Sequence, residues 1–150
     1  MKFQIFGNYF NGSFHLPATT GPHAIENIIS RLCPADLSLK LWEVPVDYRD
    51  IEKVTESAIT GFNHWKKLNI DERNNFLLKY QEEVTKRKDE IALAISYEMG
   101  KPLWEAKTEV TSVIAKINVT ISDSLPRISN KIVANILPKT TGYIFYKPIG

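Results

Sequence analysis

The spacing of apolar positions divides the chain into strands towards both ends and helices in the middle. A helix is predicted from residue 48 to residue 67, because apolar side chains recur there at intervals of three, four and seven. These side chains, which we expect to pack in the core, are Ile51, Val54, Ala58, Ile59, Phe62 and Trp65. Asp47 is predicted to cap this helix, with Asp50 at the N3 position.

A second helix is predicted from its N-terminal signal. Asn69 followed by Glu72 is typical of a capping box, so the helix should begin directly after Asn69. Its inward side chains are expected to be Phe76, Leu77, Tyr80 and Val84. The basic run Lys86-Arg87-Lys88 is interpreted as a solvated helix end that complements the helix dipole.

Two more helices are predicted on either side of Gly100, a residue that can adopt the positive φ of a helix C-terminus. The helix before it begins at Asp89-Glu90 and carries Ile91, Ala92, Ile95 and Met99 on one side. The helix after it starts near Pro102 and should stop near Ser124, because Pro126 cannot continue it. Its apolar stripe consists of Val110, Val113, Ile114 and Ile117.

The N-terminal part is predicted to contain strands. A β-hairpin is expected over residues 3–16 because Asn11-Gly12 is a strong hairpin-turn signal. A loop with a short helical piece is expected around Ala24–Ser30, and a strand over Ser38–Val44.

A second hairpin is predicted over residues 128–147. Its turn is expected at Pro138–Gly142 and its return strand at Tyr143–Lys147. On the first strand Ile132, Ala134 and Ile136 should share one face, with Val133 and Leu137 on the other. The lysines at 131, 139 and 147 are consistent with strand edges that are protected from promiscuous pairing.

Composition narrows the possible functions. The 150 residues are 43% hydrophobic and 24% charged, with a net charge of +2, which gives no indication of a nucleic-acid partner. No apolar run approaches the roughly 20 residues that cross a bilayer, and no signal peptide is evident, so we expect a cytoplasmic protein without a membrane partner. The single cysteine, Cys33, excludes an internal disulfide and is expected to be buried or semi-buried.

An ordered set of residues around Gly100 resembles the aldehyde dehydrogenase family. The pattern R-x-D-E-I-A-x-x-I-x-x-E-x-GKP runs from Arg87 to Pro102, and E-A-x-x-E-V follows from Glu105 to Val110. With Trp104 before Glu105, the stretch looks most like the succinylglutamate-semialdehyde dehydrogenases of arginine catabolism. The resemblance covers roughly residues 31–150 and, more loosely, residues 8–14.

The resemblance implies an α+β fragment of the α/β aldehyde dehydrogenase fold, with an N-terminal hairpin, three to four helices and a C-terminal hairpin of the oligomerisation type. Residues 1–125 would be the N-terminal part of the cofactor-binding domain. Residues 126–150 would be the oligomerisation hairpin and the start of the strand that leads to the cofactor pocket. The implied partners are a second copy and the remainder of the dehydrogenase subunit; the interface side chains would be Ile132, Ala134, Ile136, Ile144 and Tyr146.

Catalytic residues are not expected in this chain. The family uses a cysteine nucleophile, a glutamate base and an asparagine oxyanion donor, all C-terminal to a P-I-G sequence that matches Pro148–Gly150. In the family this sequence leads directly into the strand that begins the cofactor pocket. No glycine-rich phosphate loop is present, so NAD or NADP would serve the full-length parent and none is expected to bind this chain.

The histidines and Glu98 do not indicate a metal site. His15, His23 and His64 lack the spacing of a metal site, and no metal ligands are assigned. Glu98 stands where some family members have an acidic residue near a monovalent cation, but solvation of a helix end is the preferred interpretation.

Two hypotheses remain open. In the first, the chain is the N-terminal portion of an NAD(P)-dependent dehydrogenase that oxidises N-succinylglutamate semialdehyde to a carboxylate through a cysteine thioester, and is inactive alone. In the second, it is a non-enzymatic α+β interaction module or a truncated paralogue.

Overall fold

The computed structural model describes residues 3–17 and 27–149 and has an α+β architecture with four α-helices and small antiparallel sheets. The strands are β1 (Asn8–Phe10), β2 (Ser13–His15), β3 (Ile28–Cys33), β4 (Asp36–Pro45), β5 (Lys131–Leu137) and β6 (Thr140–Ile144). The helices are α1 (Ile51–Trp65), α2 (Ile70–Lys86), α3 (Lys88–Met99) and α4 (Leu103–Val119). The helix count of the described residues agrees with the predicted three to four. No helix in this part of the chain is long and apolar enough to span a membrane.

Each strand of the described residues pairs with its neighbour in sequence, so the three sheets are separate hairpins. The helical piece predicted around Ala24–Ser30 is wrong for residues 28–30, and its first residues lie outside the described part. Ile28 and Ile29 are instead in β3, opposite Pro45 and Val44 of β4. β-branched side chains favour such cross-strand pairs, which outweigh the local helical signal.

Helix α1 begins later than predicted, and its cap is different. Asp50, not Asp47, is the N-cap residue, and its side chain makes no capping hydrogen bond. The Asp47 carboxylate accepts hydrogen bonds from the Arg49 amide (2.9 Å) and guanidinium group, so it is not available to α1. The interaction with Arg49 also lowers the pKa of Asp47.

The expectation that α1 packs in the core is wrong for the structure described. No residue of α1 is buried, and Ile51 and Ile59 are 56% and 57% exposed. Few elements lie against this helix. Its Ser57 hydroxyl accepts a hydrogen bond from the Asn11 amide (3.1 Å), and its Trp65 ring contacts Phe76 of α2.

Helix α2 has the predicted capping box. The Asn69 side chain accepts from the Glu72 amide (2.9 Å), and the Glu72 carboxylate accepts from the Asn69 amide (2.7 Å). Of its predicted inward residues only Val84 is buried, while Phe76 and Tyr80 are exposed. Only the C-terminal half of α2 reaches the core, so apolar periodicity overstated its burial.

The core is small and lies where α2, α3 and α4 meet. Val84, Ala92, Ala106 and Val110 form the buried cluster, and Ile91, Ile95 and Ile114 pack against it. The two fully buried alanines leave room for α3 and α4 to approach closely. Met99 and Val113, which were also predicted to face inward, are exposed.

The last helix does not end abruptly at Pro126. The α-helical part of α4 ends at Val119, and a π-helical segment at Thr120–Ser124 and a 3-10 turn at Leu125–Ile128 follow. Pro126 is accommodated in the first turn of the 3-10 segment, where the lack of an amide proton is tolerated.

Candidate interaction surface and its supporting junction

The C-terminal hairpin is irregular in the middle of β5. Ile132 lies opposite Tyr143, and Val133 lies opposite Gly142. The next matched pair is Leu137 with Thr140, so β5 has two more residues than β6 between the two matched pairs. Asn135, within this bulge, has a φ of 57°. Asparagine is one of the few residues that tolerate this left-handed conformation.

The turn of this hairpin is shorter than predicted. Residues 140–142 belong to β6, which ends at Ile144, and only Pro138 and Lys139 form the turn. Lys139 has a φ of 64°, which closes the connection in two residues. The predicted turn at Pro138–Gly142 and the return strand at Tyr143–Lys147 are therefore wrong in their bounds.

The bulge also places Ile136 differently from the prediction. A Cβ atom at Gly142 would lie 2.0 Å from Cδ1 of Ile136, so the Ile136 side chain occupies the space above Gly142. Gly142 is the register partner of Val133, and such partners share a face. Ile136 therefore covers the Val133 face and is not on one face with Ile132.

The residues proposed for the interface are all on the surface of the chain. Ile132 is 71% exposed and Ile136 is 55% exposed. The remaining members, Ala134, Ile144 and Tyr146, are exposed as well. The sequence reasoning did not include Tyr143 of β6 and Phe145, which directly follows β6; their rings stack 6.0 Å apart. The sequence signal that could have identified this pair is their spacing of two residues, which places both side chains on the same side of an extended segment.

The junction at Gly100–Pro102 connects α3 to α4 and contacts the turn of the β3–β4 hairpin. Gly100 ends α3 with a φ of 67°, and a Cβ atom there would lie 3.0 Å from both Pro34 and Ala35 in the β3–β4 turn. The Ser96 hydroxyl donates to the Lys101 carbonyl oxygen at 2.7 Å. The Lys101 ammonium group contacts the carboxylates of Glu109 and Glu105, and these contacts raise the pKa of Lys101.

Glu98 links α3 to the β3–β4 hairpin. Its carboxylate accepts a hydrogen bond from the Trp42 indole N–H, and its carbonyl oxygen accepts one from the Arg31 guanidinium group at 2.7 Å. The interpretation of Glu98 as a solvated helix end is therefore wrong. The sequence signal was weak because the partners lie 56 and 67 residues away.

A groove of about 800 Å³ lies beside this link, between the N-terminal segment, the β3–β4 hairpin and the start of α1. Most of its lining is apolar or aromatic. Among the described residues that line it there are three carboxylates, Asp47, Asp50 and Glu98, and no basic side chain. Asp47 and Asp50 form ion pairs with Arg49 and Lys53, and no basic side chain among the described lining residues is placed to hold the pyrophosphate of a dinucleotide.

Other reactive side chains do not converge on a site in the described residues. Cys33 is buried, as predicted. His15 lies within hydrogen-bond distance of Ser13 and stacks on Phe10, His64 is exposed, and His23 lies outside the described part. No group of three metal-binding side chains occurs in this part of the chain.

Comparison with known proteins is decisive for the family. Residues 23–150 match the model of the aldehyde dehydrogenase family. The chain belongs to the aldehyde dehydrogenase family. The matched range includes the Gly100–Pro102 junction, the three-helix core and the C-terminal hairpin.

Individual members of the aldehyde dehydrogenase family match part of the chain. It is 32% identical over 102 residues to the N-succinylglutamate 5-semialdehyde dehydrogenase of Chromobacterium violaceum, which is 67% of this chain and 21% of that protein. The enzyme of the same name from Paraburkholderia xenovorans is 35% identical over 101 residues, 67% of this chain and 20% of that protein. The Burkholderia cenocepacia enzyme is 38% identical over 82 residues, 55% of this chain and 17% of that protein. The chain thus spans about a fifth of the length of these relatives.

Proposed function

We propose that this chain is the N-terminal part of an NAD(P)-dependent aldehyde dehydrogenase that oxidises N-succinylglutamate semialdehyde to the carboxylate in the cytoplasm, as a step of arginine catabolism. The observation that carries the proposal is the family match over residues 23–150. The substrate is taken from relatives named for it that are 32–38% identical over the matched region.

The chain acts as scaffold in this proposal. Residues 1–125 contribute to the cofactor-binding domain, and residues 126–150 form the oligomerisation hairpin. The exposed apolar faces of α1 and of the β5–β6 hairpin support this role, because such faces are normally covered by other parts of a folded protein. The partners are the remainder of the dehydrogenase subunit and a second copy.

The chemistry of the reaction is assigned to the part of the subunit that this chain does not contain. NAD or NADP accepts the hydride in the family, and the groove described above has no basic side chain among its described lining residues to hold the phosphates of either cofactor. Cys33 is buried, whereas a cysteine nucleophile must reach its substrate. No catalytic step is therefore assigned to these residues.

Fragment complementation tests the proposal. The chain would be co-expressed with the Chromobacterium violaceum relative from which the matching N-terminal fifth has been removed. We expect NADH or NADPH formation from N-succinylglutamate semialdehyde in the mixture and none from either piece alone. Cys33→Ala in the chain should leave the restored activity unchanged.

The matched control is the relative's own N-terminal fifth, supplied as a separate piece. If that piece restores activity and the present chain does not, the non-enzymatic module is favoured. Activity of the present chain alone, persisting after Cys33→Ala, would contradict the assignment of catalysis to the rest of the subunit.

A further inference from the structure

The turn between β1 and β2 consists of Asn11 and Gly12, the only asparagine–glycine pair in the 150 residues. Phe10 lies opposite Ser13, so these two residues close the hairpin by themselves. Their φ angles are 49° and 79°, which is typical of a two-residue hairpin turn, and both residues are exposed. The turn therefore presents an asparagine side chain and the backbone amide that follows it to solvent.

The two groups are not engaged elsewhere. Within the described residues, neither the Asn11 carboxamide nor the Gly12 backbone amide takes part in a hydrogen bond. Apart from its chain neighbours, no atom lies within 4 Å of the position that a Cβ atom of Gly12 would occupy. Glycine also has no Cβ atom of its own to shield its nitrogen. The carboxamide and the amide nitrogen are therefore accessible to each other and to water.

The β1–β2 hairpin can open while the helical core stays folded. Each strand has three residues, and Phe10 is the only one of these six that is buried. The Asn11 amide donates a hydrogen bond to the Ser57 hydroxyl of α1 at 3.1 Å. Two-stranded hairpins are marginally stable by themselves, and segments with few buried contacts open at little cost in free energy. Opening lets the Asn11 backbone rotate until its side-chain carbonyl carbon faces the Gly12 nitrogen.

We propose that Asn11 is a site of spontaneous deamidation and isoaspartate formation in the folded chain. The Gly12 nitrogen loses its proton to hydroxide and attacks Cγ of Asn11. A bond forms between these atoms, the bond from Cγ to the side-chain nitrogen breaks, and this nitrogen leaves as ammonia with a proton from water. Water then opens the five-membered succinimide at either carbonyl carbon and gives isoaspartate or aspartate. The net reaction consumes one water molecule and releases one ammonia molecule.

Isoaspartate changes the turn in two ways. It adds a methylene group to the main chain and a negative charge to the side group. The two-residue connection between Phe10 and Ser13 depends on its length, so the longer main chain disrupts their pairing. The amide of residue 11 is then displaced from Ser57, and the hairpin loses its hydrogen bond to α1. Deamidation therefore releases the N-terminal hairpin from α1.

Peptide mapping by mass spectrometry, during incubation of the full chain at mildly alkaline pH, tests the site. Asn135 is the internal control, because it is also exposed and has a φ of 57° but is followed by Ile136. The β-branched isoleucine side chain crowds its amide nitrogen. Asn11 should deamidate at least about tenfold faster than Asn135, a difference of roughly 1.4 kcal/mol in the barrier. Equal rates at the two sites, or an Asn11 that stays intact, would overturn the proposal.

Incubation in urea measures how far the folded structure protects the site. Because opening the hairpin costs little, the folded chain should react within about tenfold of the unfolded chain, or roughly 1.4 kcal/mol. A slower reaction in the folded chain would show that the turn protects Asn11 and would overturn the proposal. Gly12→Ala should slow the reaction in both conditions, since the added Cβ atom crowds the attacking nitrogen. An unchanged rate in that variant would exclude the succinimide route.

Hydrogen exchange tests the release of the hairpin. In the aged chain the amides of residues 8–15 should exchange faster than in the fresh chain, whereas the amides of α3 in the core should not change. Asn11→Gln is the control, because the longer glutamine side chain closes a less favourable six-membered ring, and its exchange should not change with age. Aged and fresh chains with the same exchange at residues 8–15, or the same ageing in Asn11→Gln, would contradict the release.

Discussion

At the scale of single residues, Glu98 connects parts of the chain that are far apart in sequence. Its carboxylate accepts a hydrogen bond from the Trp42 indole N–H, and its carbonyl oxygen accepts one from the Arg31 guanidinium group. A hydrogen bond to an ionised group contributes more to stability than one between neutral groups. The attachment of β3–β4 to the helices therefore depends strongly on this one residue.

We expect Glu98→Ala to lower the free energy of unfolding by about 1–3 kcal/mol, because the half-buried Trp42 N–H loses its acceptor. Urea denaturation measures the change, and Glu82→Ala on the exposed side of α2 is the control. Trp42→Phe should cost little more in the Glu98→Ala background than Glu98→Ala does alone. Equal effects of Glu98→Ala and Glu82→Ala would show that the hydrogen bond is unimportant.

Contacts between residues that are close in sequence could be predicted, whereas contacts between residues that are far apart in sequence could not. Asn69 and Glu72 are three positions apart, so their capping box could be predicted from the sequence and is confirmed. Glu98 meets its partners only when a hairpin and a helix pack together. Nothing in the residues near Glu98 specifies that contact.

At the scale of elements, apolar periodicity predicted the existence of each helix but not the partner of its apolar face. The stripe of α1 is as regular as that of α4, yet α4 has buried members and α1 has none. Periodicity reports which side chains share a face. Whether another element covers that face depends on tertiary packing, and so the burial of Ile51 and Ile59 was wrongly expected.

The role of Gly100 at the end of α3 can be tested by comparing its substitution with that of Gly61, because alanine should have opposite effects on stability at the two positions. Gly100→Ala should destabilise the chain by about 1–2 kcal/mol or more, because its φ is positive and its Cβ would crowd Pro34 and Ala35. Gly61→Ala, within α1 and with open space around it, should stabilise by up to about 1 kcal/mol. Thermal unfolding followed by circular dichroism compares the two. Similar shifts for both variants would contradict the role given to Gly100.

At the scale of the whole molecule, exposed apolar surface predicts self-association through the β5–β6 hairpin. We expect Ile132→Asp and Ile136→Asp to shift the chain towards monomer in light scattering, because a charge would be buried in a strand-paired dimer. The two positions are tested separately because Ile136 also covers Gly142 within the hairpin.

Lys86→Asp is the control, since Lys86 is exposed and far from the hairpin in sequence. An unmodified chain that scatters as a clean monomer at high concentration would rule out the hairpin as an interface.

The order of elements in the whole molecule could be predicted because most of the signals are local. Turn residues, caps and glycine stops each lie within a few positions of the structure they specify. The bulge at Asn135 and the position of the Ile136 side chain over Gly142 could not be predicted from such local signals. Both depend on the register between β5 and β6.

The separation of the strands into three hairpins has a consequence for synthesis on the ribosome. Each hairpin is made of adjacent strands, so β1–β2 and β3–β4 can form soon after they leave the exit tunnel. The β3–β4 hairpin, however, meets its partner Glu98 only after more than fifty further residues have been translated. Until then its aromatic and apolar side chains are exposed to solvent, and that interval is when a nascent chain would be most accessible to chaperones.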